Sequence, residues 1–238
     1  MSTHDSEREK DYPVLDHDEY ARSRPADDFW GQIKRTVNGK PVTEEQIQLI
    51  VTTIKNNLGL QEGDVLLDLA CGNGALSTRL FDRCQEFVGV DLSGYLISVA
   101  RQHYEIAPRY TFLEQSADSY VQSDPRPERF SKVLCYGSFS YFSAAAARTV
   151  LELLCQRFSH VNKVYIGNLP DRDKLDLFYK ENRPSEAELS DHASRIGIWR
   201  SKREFEALAN AAGWRTQFVA ADPQFYAAHY RYDVLLSR

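Results

Sequence analysis

The sequence predicts an α/β fold: a mostly parallel sheet, helices on both faces and an antiparallel last strand. From residue 43 onward, short apolar runs alternate with stretches of helical period, the pattern of βα units around a parallel sheet. The first apolar run ends in a glycine-rich turn that opens the next helical stretch. Near the C-terminus two strand-like runs follow one another with no long helix between them, which breaks the alternation and turns the last strand around.

The elements can be justified in order. Residues 1–28 are polar and carry no sustained apolar period, so a loosely ordered arm is expected, with Phe29 and Trp30 marking where it docks. Thr43 and Gln46 have capping-box spacing. Ile47, Ile50, Val51, Ile54 and Leu58 follow on one helical face before Gly59. Val65 to Leu69 reads as a buried strand, Leu76 to Phe81 as helix and Phe87 to Val90 as a second strand. Ser93 is placed to cap a helix carrying Leu96, Ile97, Val99 and Ala100. Tyr110 to Leu113, Lys132 to Tyr136 and Val161 to Ile166 read as further strands, with a helix over 144–158. Ser201 and Glu204 form a second capping box, and the closing strands fall near 214–220 and 230–237. The stretch 169–199 lacks a strong period but holds Phe178, Tyr179 and Trp199. A lid-like insertion is expected there, within a single domain spanning 29–238.

Charge and composition exclude several functions. The 238 residues have a formal net charge of −5. Residues 1–28 hold nine acids and four bases, so the arm accounts for the whole deficit and the body is neutral. A neutral body has no net field to gather nucleic acid, and no nucleic-acid partner is expected. A spanning helix needs about 18 or more consecutive apolar residues, and the chain has no such run, so no membrane partner is expected. The opening MSTHDSEREKD lacks the basic and apolar regions of a signal peptide, so a cytoplasmic location is expected. Cys71, Cys84, Cys135 and Cys155 form no CxxC pair and no zinc spacing. Reduced, mostly buried thiols and no metal site follow.

The chemistry concentrates in residues 66–77. There a buried strand ending in Asp68-Leu69 enters Ala70-Cys71-Gly72-Asn73-Gly74 and then a helix. Glycines let the backbone turn sharply and approach a ligand. A second strand ends in Val90-Asp91, where an acid can accept both hydroxyls of a ribose. A dinucleotide site would want G-x-G-x-x-G. After Gly72 and Gly74 the third glycine is missing and Ser77 stands in its place. The other ligand class is a nucleoside bearing a short amino-acid arm without phosphate.

Asp68-Leu69-Ala70-Cys71-Gly72-Asn73-Gly74, with Gly89-Val90-Asp91 downstream, resembles the class I S-adenosylmethionine-dependent methyltransferases, and the element order agrees over roughly 43–238. The resemblance implies a Rossmann-like seven-stranded sheet and S-adenosyl-L-methionine as cofactor. It assigns Ala70, Gly72, Asn73 and Gly74 to the loop under the methionine arm, with Ala70 replacing the usual first glycine. Asp68 would orient that loop or meet the amino group. Asp91 would bind the ribose and Leu92 flank the adenine. Ser116 and Ala117 would take the place of the family's adenine-contacting Asp-Ala pair. Tyr136, in Cys135-Tyr136-Gly137-Ser138, would stand where cofactor and substrate meet.

The methyl acceptor is less constrained. The Asn/Asp-Pro-Pro-aromatic motif of amino-methylating DNA enzymes is absent after the fourth strand, which reads Tyr136-Gly137-Ser138-Phe139, and no Pro-Cys dipeptide exists. Cys135 and Tyr136 offer no metal-binding acid. These features favour a metal-independent enzyme acting on a small hydroxylated molecule, such as a sugar or sugar nucleotide in glycan or natural-product biosynthesis. A hydroxyl acceptor needs a base, for which His192 and His229 are the candidates. Tyr141, Asn168, Trp199 and Tyr230 are candidate substrate contacts. A nicotinamide-dependent oxidoreductase and a non-catalytic cofactor-binding module stay open as alternatives, as does the oligomeric state. Part of 12–40, with Tyr20, Trp30 and Lys34, is expected to close over the site.

Overall fold

The computed structural model describes residues 14–37 and 40–238. Helix α1 (Val14–Arg22) and the short α2 (Phe29–Gln32) precede a small antiparallel pair, β1 (Thr36–Val37) and β2 (Lys40–Pro41). Helix α3 (Glu44–Leu58) then leads into β3 (Val65–Leu69). There follow β4 (Glu86–Asp91), α4 (Gly94–Tyr104), β5 (Tyr110–Glu114), α5 (Ala117–Ser123), β6 (Lys132–Tyr136), α6 (Ala144–Arg157) and β7 (Lys163–Pro170). Short helices α7 (Leu175–Phe178) and α8 (Glu186–Leu189) precede α9 (Lys202–Ala211), β8 (Arg215–Val219) and β9 (Arg231–Ser237).

The seven-stranded sheet has the order β5-β4-β3-β6-β7-β9-β8. Strands β3 to β7 pair in parallel, and β9 lies antiparallel between β7 and β8. The chain steps outward from β3 to β5 and then returns to the other side of β3 with β6. That reversal leaves a crevice at the carboxyl ends of β3 and β6, where ligands bind in open α/β sheets.

Alternate strand residues feed two cores, as the period of two requires. Leu67, Leu69, Val88, Val90 and Ile166 pack with Leu151, Leu154 and Phe205 on one face. Leu66, Phe87 and Tyr165 pack with Ile47, Ile54, Leu58 and Ile97 on the other. Fully burying each such side chain contributes about 1.5–3 kcal/mol, so α3 is held by its face rather than by its cap.

Several local expectations are met. Gly59 closes α3 in the left-handed conformation, the Ser93 hydroxyl accepts from Leu96 N–H, and Ser201 and Glu204 make a full capping box. Others differ. Thr43 makes no side-chain cap. Gln46 instead donates to the Gln224 carbonyl and accepts from Tyr226 N–H, each at 2.9 Å, so a tertiary contact outcompetes the local one. Leu76 to Phe81 is not α-helical; Ser77–Arg83 winds as a 3-10 helix, whose steeper rise covers the return to β4 in fewer residues.

Residues 1–13 of the expected arm lie outside the described residues. Within the rest of it, Val14–Arg22 forms a helix. It docks through contacts an apolar count does not see. Ala21 is buried, Asp18 accepts from the Ser93 hydroxyl, and the Arg22 guanidinium lies 4.4 Å over the Tyr95 ring. The stretch 169–199 builds a small core of its own, with Leu175, Leu189, Ile196 and Trp199 closing on Ala227 and Tyr230. Among the described residues no helix is long and apolar enough to cross a membrane.

Candidate functional site

The loop after β3 is set by three positive φ angles, at Ala70 (+60°), Gly72 (+60°) and Gly74 (+76°). A Cβ on Gly72 would come within 2.9 Å of Ile33, so this glycine admits the N-terminal segment. A Cβ on Gly74 would come within 2.8 Å of the Phe112 ring, so that one serves packing. Ala70 and Gly72 line the crevice and Gly74 does not. Asn73 is fully buried and holds the N-terminal segment instead of facing the cavity. Its amide donates to the Phe29 carbonyl (2.8 Å) and to Gln32 Oε1 (2.9 Å).

Asp91 is buried at the tip of β4. Its Oδ2 accepts Gly72 N–H at 2.8 Å and its Oδ1 accepts Ser93 N–H at 2.9 Å, so one carboxylate ties the glycine loop to the start of α4. Burial pushes its pKa up to about 6, against the pull of those two N–H groups. Each oxygen keeps a second lone pair for a ligand hydroxyl. Asp68, on the neighbouring strand, accepts the Ser77 hydroxyl at 2.6 Å on Oδ2, while its buried Oδ1 has no partner. Burial lifts its pKa to about 7; the Ser77 bond opposes this and Asp91 adds to it. Ser77, standing where a third glycine would be, thus spends its hydroxyl on Asp68.

The cavity above these groups has two lobes that share Ala70, Asp91 and Tyr141. One runs toward α5 and α6 and is walled by Leu92, Glu114, Ser116 and Ala117. Ser116 also caps α5, its hydroxyl accepting Ser119 N–H at 3.3 Å, and keeps its own proton to donate. The other lobe runs over Asp68 and Gly72 toward Tyr136, Gly137 and Asn168. The N-terminal segment forms its far wall with His17, Gln32, Ile33, Lys34, Arg35 and Thr36. Of the three side chains expected to close the site, Lys34 lines the lobe, its amine 4.8 Å over the Tyr20 ring, while Trp30 packs against the α3 core.

Asn168 sits at a bulge in β7 with φ +63°. Its N–H donates to Asp233 Oδ1 at 2.6 Å, the Tyr165 hydroxyl donates to Oδ2, and its own Oδ1 is buried without a partner. Tyr141 and Tyr230 also line the lobe. Trp199 does not: it is buried at 1% exposure in the small core of the 169–199 stretch, where its indole fills space. Neither His192 nor His229 lines the cavity. His192 stands 3.8 Å from Asp191 with its Nε2 buried and unpartnered, and the His229 ring packs 4.8 Å from Tyr230. The histidine that does reach the lobe is His17, edge-on to Tyr141 at 5.4 Å.

Sequence reasoning missed His17, Arg35, Tyr226 and Arg231 in the wall. All come from outside the βα units that carry the motif, and only the polar, motif-free character of their segments hinted at them. Among the described residues no three His, Cys, Asp or Glu side chains gather as a metal site.

A two-lobed cleft with a ribose-type acid at its waist, and no third glycine for a pyrophosphate, matches a nucleoside with an amino-acid arm. Residues 66–158 match the family described as a methyltransferase domain. Over that stretch the chain is similar to methyltransferases. An uncharacterized methyltransferase of Schizosaccharomyces pombe is 25% identical over 139 residues, which cover 52% of this chain and 47% of the relative. A ubiquinone biosynthesis O-methyltransferase of Alkalilimnicola ehrlichii is 37% identical over 83 residues, 33% of this chain and 31% of the relative. The chain thus spans less than half the length of these curated relatives. The chain also shares its fold with the magnesium protoporphyrin IX methyltransferase of Synechocystis PCC 6803, solved with bound S-adenosylmethionine. The TM-score is 0.59 at 13% identity, covering 98% of this chain and 97% of that one.

Proposed function

We propose that the protein transfers a methyl group from S-adenosylmethionine to a hydroxyl of a small molecule held between the N-terminal segment and β7. The observation that carries this reading is Asp91 at the waist of the two lobes, with the orphaned Asp68 Oδ1 beside it. Asp91 has lone pairs left for the two ribose hydroxyls, and Leu92, Ser116 and Ala117 flank the adenine. Asp68 Oδ1 accepts from the α-ammonium, which supplies the partner that this buried atom lacks. The cofactor would bring an already activated methyl group, so the chain's task is to position and desolvate the acceptor.

Tyr136, Tyr141, Asn168 and Tyr230 hold the acceptor over the end of β6. His17 takes the acceptor proton, replacing His192 and His229 in that role because it reaches the lobe. The N-terminal segment and the 169–199 lid keep water out. The lid is tied to the cavity wall by the Tyr141 hydroxyl, which donates to the Arg195 carbonyl at 3.0 Å.

Isothermal titration with S-adenosylhomocysteine tests the reading. Saturable binding is expected, and Asp91→Ala should weaken it by about 10- to 100-fold, the worth of one to two buried charge-assisted hydrogen bonds. Binding of a nicotinamide dinucleotide in place of S-adenosylhomocysteine would sink it.

A further inference from the structure

Arg35 is 7% exposed, and its guanidinium makes no hydrogen bond and no ion pair among the described residues. It lies 5.0 Å from the Tyr136 ring and packs against the Gly137 backbone. Burying an ion without a hydrogen-bonded partner is unfavourable, yet the chain holds this one in place through its backbone. Arg35 N–H donates to the Trp30 carbonyl at 2.9 Å, and its carbonyl accepts Val42 N–H at 3.1 Å. Gly137, at φ +82°, leaves the space for it: a Cβ there would stand 3.0 Å from Arg35 Nη2. The side chain lines the acceptor lobe beside Asn168, whose buried Oδ1 is also unpartnered. Asp233 feels the Arg35 charge at a distance but makes no ion pair with it, its oxygens accepting Asn168 N–H and the Tyr165 hydroxyl. Of the other cations of this wall, Arg231 donates to the Asn168 carbonyl and Lys34 sits over the Tyr20 ring.

We propose that the methyl acceptor carries a carboxylate, which Arg35 binds at the ends of β6 and β7. The inference rests on the methyltransferase reading above. One planar guanidinium with an unused edge matches one planar carboxylate, whereas a phosphate dianion would call for a second uncommitted cation. The cofactor's own carboxylate is the other source of the same chemistry. Ile33 stands over Gly72, where the methionine arm passes, and Arg35 lies beyond it against Tyr136 and Gly137. This places the guanidinium on the acceptor side. The acceptor so defined is a hydroxy acid rather than a neutral sugar.

The test uses the full chain saturated with S-adenosylhomocysteine and titrated with acetate at constant ionic strength, alongside Arg35→Met. Saturable acetate binding is expected, weakened by at least about tenfold in the variant. Arg35→Met should also melt no lower than the parent protein in the absence of anions, because the substitution removes an unpaired buried charge. Three results would overturn the proposal. Phosphate could bind where acetate does not. Acetate could bind only when 5′-methylthioadenosine, which lacks the carboxylate, replaces S-adenosylhomocysteine, assigning Arg35 to the cofactor. Arg35→Met could melt lower while binding acetate unchanged, which is what a merely structural role gives. Loss of S-adenosylhomocysteine binding itself removes the methyltransferase reading and this proposal with it, whereas retained cofactor binding without acetate binding removes the proposal alone.

Discussion

Asp68 and Asp91 end adjacent strands and are both buried, yet their surroundings set them apart. Asp91 has both oxygens on backbone N–H groups, and its pKa stands at about 6; Asp68 has one oxygen orphaned, and its pKa rises to about 7. In the cofactor-free fold Asp68 therefore holds a proton that the unfolded chain gives up near its ordinary value of 3.8. Its ionisation takes stability away as pH climbs from about 4 to about 7 and changes nothing further above that. The melting temperature of Asp68→Asn relative to the parent should accordingly rise from pH 4.5 to 7.5. An ammonium beside Asp68 favours the carboxylate, so cofactor binding at pH 7 should release roughly half a proton from this group. Calorimetry in buffers of different ionisation enthalpy would detect it, and Asp68→Asn should abolish it. A binding enthalpy independent of buffer would place the ammonium elsewhere. Asp91 was legible because strand-tip acids at this spacing have one common use. Arg35 was not, because nothing in the neighbouring residues says that its charge is buried and unpaired.

At the scale of elements, the N-terminal segment is bound to the glycine loop by one side chain. Asn73 reaches Phe29 and Gln32, and Ile33 then rests over Gly72. Asn73→Ala removes three side-chain hydrogen bonds, to the Phe29 carbonyl, to Gln32 Oε1 and from Ala75 N–H, at about 1 kcal/mol each. It should weaken S-adenosylhomocysteine binding several-fold, mainly through faster dissociation, and lower the melting temperature by roughly 6–12 °C. Stopped-flow release measures this, and an unchanged off-rate would mean that the segment does not gate the cleft. The capping boxes teach a related lesson. Ser201 with Glu204 behaves as its spacing says, because both residues are free of tertiary demands. Thr43 with Gln46 does not, because residues 224–226 offer Gln46 a donor and an acceptor together. The helix Val14–Arg22 escaped notice for the same reason, since it docks through Asp18 and Arg22 rather than through an apolar stripe.

At the scale of the molecule, the sheet order creates the site. The reversal between β3 and β6 opens the crevice, and β9, inserted antiparallel between β7 and β8, carries Arg231 to its wall and Asp233 behind Asn168. Strand β9 is also a keystone: Val234 and Leu236 are fully buried on one face, and Leu235 packs into the other. Val234→Ala should cost about 2 kcal/mol, a fall of roughly 4–8 °C in melting temperature for a chain of this length. A fall under 1 °C would show that the β9 strand is not integral to the core.

The sequence by itself determined the alternating elements, the glycine loop, the paired acids and hence the fold, and the resemblance carried by these residues implied the class of cofactor. The elements and the loop follow from periodicity and from spacings of fewer than about 25 residues along the chain. Only the tertiary structure decided which side chains line the cavity. His17 and Arg35 come from before the first strand of the seven-stranded sheet, and Tyr226 and Arg231 from just before or at the start of the last strand. Trp199, His192 and His229 look no different along the chain, yet they turn away from the cavity. The reason is physical: local patterns report what a residue does to its own helix or strand, whereas burial beside a distant charge is a property of the assembled whole.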